Sequence, residues 1–130
     1  MLGGDASEKI IKSMDLTEWD IINFSTHTIN GYGLSEPGLI LSLPDVSTSE
    51  DDGVLVASEV AQLNLNAKLV VLSACNTAAG KDTESEILSG LAQSFLYAGA
   101  ENLILSHWPV EDRSTAILMS KFYDFWLKKN

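Results

Sequence analysis

Four consecutive large aliphatic residues, Leu69-Val70-Val71-Leu72, constrain the fold more than any other feature of the sequence. The run is apolar at every position, contains two β-branched valines, and is bounded by Lys68 and Ser73. Such a segment is too short for an ordinary helix and fits a strand covered on both faces. It leads directly into Ala74-Cys75-Asn76-Thr77.

The same kind of segment recurs. Trp19, Ile21, Ile22 and Phe24 predict a strand buried on both faces and ending at Ser25-Thr26-His27, with a loop over 28–35 that contains Gly31 and Gly33. Leu39–Leu43, closed by Pro44, and Leu103–Leu105 predict two more strands. Between them lie helical patterns. Ala6, Ile10 and Met14 repeat every four residues, and a helix is expected over 57–63. Thr83 and Glu86 form a capping-box pair ahead of Ile87, Leu91 and Phe95, with Gly99 placed to end that helix in a left-handed turn. A last helix, capped by Asp112 or Ser114, would turn Leu118, Phe122 and Phe125 inward. Strands alternating with helices predict an α/β fold: a mainly parallel sheet joined by crossovers, with helices on both faces.

In 130 residues this is one domain or part of one. Eighteen acidic residues against eight basic ones give a net charge of −10, a field that repels phosphate backbones and anionic lipid, so neither nucleic acid nor a membrane is an expected partner. The start of the chain lacks the basic-then-apolar pattern of a secretory signal, and no apolar run approaches the ~20 residues that span a bilayer. A single cysteine excludes an intrachain disulfide and fits a reducing, cytoplasmic setting. The carboxylates of Ser49–Asp52 form no recognisable calcium loop and read as a solvated turn, so no metal and no cofactor are expected.

Reactive groups in open α/β sheets collect outside the carboxyl ends of the strands, and His27 and Cys75 both fall there. A thiol attacks as thiolate, and an imidazole beside it can take the proton and later deliver one to a leaving amine. Spacing alone does not separate this pair from a packed cysteine and a loop histidine.

The surrounding residues are more specific. INFSTH ending at His27, LVVLSACNTAAG around Cys75, GLAQSFLYAGAENLILSHWPVED at 90–112, LMSKFYDFW at 118–126 and the opening LGGDASEK together resemble the CHAT family, caspase-like peptidase domains found beside tetratricopeptide repeats. The resemblance implies that residues 1–130 are the C-terminal catalytic part of a caspase-like domain. It implies a cysteine endopeptidase that cleaves peptide bonds through a thioester, with Cys75 as nucleophile, His27 as base and no metal in the chemistry. The backbone N–H groups of Cys75 and Thr28 would hold the oxyanion. A protein or peptide is the implied substrate, and tetratricopeptide repeats or other sensor domains in the parent protein are implied partners.

Three features depart from the family pattern. Thr28 stands where glycine is usual after the histidine, and a side chain there restricts close approach. His107 replaces an apolar residue; it could line the substrate cleft or compete as base, although a partly exposed structural histidine is the plainer reading. The strand and helix that the family carries ahead of LGGDAS are mostly absent, which leaves open a sheet incomplete at its N-terminal side. Trp108 is a candidate pocket wall, Asp112 a helix cap before it is a ligand for a basic substrate group, and Asn76 and Thr77 are supports of the nucleophile turn. The alternative function is a catalytically inactive caspase-like interaction module.

Overall fold

The aliphatic run at 69–72 forms the middle of the sheet in a computed structural model that describes residues 5–30, 33–75, 81–105 and 112–129, and only the backbone at 74, 75, 81–88 and 112. The elements in chain order are α1 (Glu8–Ser13), β1 (Ile21–Ile29), β2 (Gly38–Ile40), β3 (Val54–Val56), α2 (Ala57–Val60), β4 (Leu69–Cys75), α3 (Lys81–Tyr97), β5 (Leu103–Leu105) and α4 (Asp112–Lys129). They build a five-stranded sheet in the order β3-β2-β1-β4-β5. β4 lies between β1 and β5 and runs parallel to both. Leu69, Val70, Val71 and Leu72 are all at most 1% exposed, so both faces of β4 are covered.

One face carries the main core. Val70 and Leu72 of β4 and Phe24 of β1 pack with Leu91 and Phe95 of α3, and the Phe24 and Phe95 rings lie 5.2 Å apart in a tilted pair. α3 thus connects two parallel strands and covers the sheet between them. It ends at Tyr97, and Gly99 follows at φ 113°. A Cβ at Gly99 would sit 2.2 Å from the Leu65 carbonyl oxygen, so both the angle and the close approach require glycine. The helix begins at Lys81, two residues before Thr83, which places the expected capping residue inside the first turn.

The fold is α/β with a mostly parallel sheet, and the parallel part is the part that was expected. The other half differs: β2 and β3 form an antiparallel pair, and β2 runs antiparallel to β1. β3 was not foreseen, and α2 stops at Val60, short of the helix expected to 63. β1 is also not buried on both faces. Only Phe24 and Thr28 along it are buried, whereas Asn23, Ser25 and His27 are exposed. The alternation is that of a strand with one covered face.

α1 turns Ile11 into the core and leaves Ile10 exposed, against the predicted face. Its Glu8 carboxylate is buried and accepts from the backbone N–H groups of Asp52 (2.9 Å) and Gly53 (3.1 Å). Lys12 bridges Glu8 to Glu59 and donates to the Glu50 carbonyl at 2.9 Å. Burial works against the Lys12 ammonium, but the hydrogen bonds and charges of Glu59 and Glu8 outweigh it and hold its pKa above the ordinary lysine value. This network ties α1 to the segment entering β3 and to α2.

α4 faces the protein differently from expectation. Thr115, Met119, Phe122, Tyr123 and Trp126 are half-buried along one stripe, while Leu118 and Phe125 are about 60% exposed. Of the three residues predicted to turn inward, only Phe122 does so.

Candidate functional site

β1 and β4 pair in parallel register from Ile21↔Leu69 through to His27↔Cys75. Adjacent strands lie about 4.8 Å apart, and registered residues of neighbouring strands belong to the same face of the pleat. The backbone therefore brings positions 27 and 75 together at the carboxyl end of the parallel ladder. Cys75 is the last residue of β4. His27 is not the last residue of β1, because the strand continues to Ile29 and its final residues, Thr28 and Ile29, pair with β2. The β-branched Thr26, Thr28 and Ile29 favour that extension, which a loop reading of 28–35 overlooked. His27 is exposed, and Thr28 is 3% exposed.

The parity of the ladder follows from one bond. The Leu69 N–H donates to the Asp20 carbonyl at 3.1 Å, so even-numbered residues of β1 direct their backbone groups toward β4 and odd-numbered ones direct them away. The Thr28 N–H accordingly faces the β4 side.

His107, Trp108, Pro109, Asn76 and Thr77 lie outside the described residues, as does the side chain of Asp112. β5 ends at Leu105, which is registered with Leu72. Among the described residues no group of three or more His, Cys, Asp and Glu side chains could hold a metal ion. None of their helices is long and apolar enough to cross a membrane.

Asn23 and Ser25 were not anticipated. They share the face of His27, are exposed, and border a cleft of about 680 Å³ that also touches Met14, Trp19 and Ile40. The signal was present in the sequence as polar residues at every second position, 23, 25 and 27, beside the apolar Ile22 and Phe24.

With this arrangement in view, comparison with known proteins is decisive for the family. The CHAT domain model matches residues 1–130, the whole chain. The chain belongs to the CHAT domain family. Two relatives are tetratricopeptide repeat protein 28 of Mus musculus and of Homo sapiens, each 34% identical over 70 residues. That match covers 54% of this chain and 3% of each relative. No solved structure matches. CHAT domains are related to caspase-like peptidases, and the named relatives associate the family with tetratricopeptide repeats.

Proposed function

We propose that this CHAT chain is the C-terminal catalytic part of a cysteine endopeptidase domain that hydrolyses peptide bonds through a Cys75–His27 dyad. The observation that carries the reading is the register His27↔Cys75 at the carboxyl end of two adjacent parallel strands. The reaction follows from the two groups. His27 takes the thiol proton of Cys75 as Sγ attacks the scissile carbonyl carbon. The tetrahedral oxyanion collapses, the C–N bond breaks, and the imidazolium gives its proton to the departing amine. Water, deprotonated by the same imidazole, attacks the thioester, releases the carboxylic acid and restores the thiol.

Backbone N–H groups of Cys75 and Thr28 are the proposed oxyanion donors. That role has a structural condition. With the ladder continued through His27↔Cys75 and the Thr28 N–H directed toward β4, the last rung must open for the donors to reach a substrate oxygen. His107 and Trp108, two and three residues past the end of β5, are proposed to border the substrate cleft. The protein is proposed to act in the cytoplasm, on a protein or peptide substrate. Its parent would supply tetratricopeptide repeats or other sensor modules.

The closed last rung, together with Thr28 in place of glycine, also favours a second reading, an inactive interaction module. Peptide-library cleavage by the full-length parent separates the two. Wild type is expected to cut, and Cys75→Ala and His27→Ala to lose roughly a thousandfold or more in kcat. No cleavage by wild type, or equal cleavage by Cys75→Ala, supports the inactive module.

A further inference from the structure

We propose that Thr26 is a positioning residue for the Cys75–His27 dyad: its hydroxyl, bound to the Ile40 carbonyl, fixes the backbone that presents His27 beside Cys75. This role rests on the peptidase reading and says what holds its base in place.

Thr26 stands where the two halves of the sheet meet. Its backbone belongs to the parallel ladder, in register with Ala74, and by the ladder parity its N–H and C=O face β4. Its side chain reaches the other way, and Oγ1 donates to the Ile40 carbonyl of β2. The antiparallel register pairs Thr28 with Leu39 and Ile29 with Gly38, and one step further along it Ile40 falls opposite His27. A hydroxyl one residue before the histidine thus makes a tie to the position across from it. Through backbone and side chain together, Thr26 links β4 to β2 at the edge of the proposed site.

The neighbours explain why that tie bears on His27. Side chains alternate along a strand, so those of Thr26 and Thr28 leave β1 on the face opposite His27. Thr28 is buried, Thr26 is half-buried and tied to β2, and His27 between them is exposed. The backbone beneath an exposed side chain sets the direction in which it leaves the strand. Two anchors on the opposite face, one on each side of His27, resist rotation of β1 about its own axis. Proton transfer between a thiol and an imidazole needs the two heavy atoms within hydrogen-bond reach, and a misplacement of about 1 Å can cost a hundredfold in rate. Thr26 therefore acts through His27 and takes no proton itself.

The test measures iodoacetamide alkylation at Cys75, located by mass spectrometry, in the full-length parent protein at pH 6 to 7, with urea unfolding recorded alongside. Thr26→Val keeps the branched shape and loses the donor, whereas Thr26→Ser keeps the donor and loses the branch. Thr26→Val is expected to slow alkylation about threefold or more, and Thr26→Ser to stay within about twofold of wild type. A merely structural bond would move the unfolding midpoint and leave the thiol's reactivity in the folded protein unchanged. Should Thr26→Val not fold, Thr26→Ala removes the same hydroxyl and is expected to show the same loss. A wild-type rate in the folded valine or alanine variant, or a loss that Thr26→Ser shares in full, would overturn the proposal while a slow His27→Ala leaves the dyad standing. A His27→Ala protein alkylated as fast as wild type would overturn the dyad and the role of Thr26 with it.

Discussion

β1 and β4 run side by side in register over the whole of β4, yet they live in different surroundings. β4 has a strand on each edge and keeps Leu69–Leu72 out of solvent on both faces. Among the described residues, β1 has β4 on one edge and, from Ile21 to Ser25, borders a cleft. Asn23 and Ser25 are exposed there, and Ile21 and Ile22 are half-buried. Burial of a strand is thus set by how many neighbours flank it as much as by its own apolar content. The proposed nucleophile sits on the fully flanked strand and the proposed base on the half-flanked one. The backbone at Cys75 continues from the buried run of β4, and the position of His27 depends on what holds β1.

The sharpest way to break this contrast is truncation on each strand. Leu72→Ala, at a fully buried site, is expected to cost about 2–5 kcal/mol of unfolding free energy in urea titration. Ile22→Ala, half-buried on the neighbouring strand, is expected to cost about half as much. Equal losses would mean that β1 is as well covered as β4. The next effect concerns the far wall of the cleft. Glu8→Ala strips the Asp52 and Gly53 N–H groups of their acceptor and leaves Lys12 with Glu59 and the Glu50 carbonyl, an expected loss of roughly 1–3 kcal/mol measured by the same titration. The smallest effect belongs to α4, where Phe125→Ala at an exposed site should change stability by no more than about 0.5 kcal/mol. A large loss there would restore the inward face that the sequence predicts.

Some of this was legible beforehand and some was not, for physical reasons. The parallel half of the sheet announced itself because Leu69–Leu72 and Leu103–Leu105 are apolar at every position, which only a covered strand tolerates. The placing of positions 27 and 75 at one sheet edge followed from that. Val54–Val56 was missed because three residues running straight into α2 have no period to read, and the long connection from β2 carries no tight hairpin signal. α4 misled for the opposite reason. It carries two apolar stripes, one through Leu118 and Phe125 and one through Met119, Phe122 and Trp126, and helical spacing cannot choose between them. β1 appeared doubly buried because its apolar residues were weighed without the polar ones at 23, 25 and 27. The buried Glu8 gave no sign in sequence, since its acceptor role depends on backbone N–H groups more than forty positions away.

The alkylation rate of Cys75 by iodoacetamide, followed across pH in wild type and in His27→Ala, tests the central claim most directly. A dyad predicts reaction at pH 6 to 7 at least about tenfold faster than a model thiol, with that advantage lost in His27→Ala. A rate equal to the model thiol's and indifferent to the histidine would contradict it.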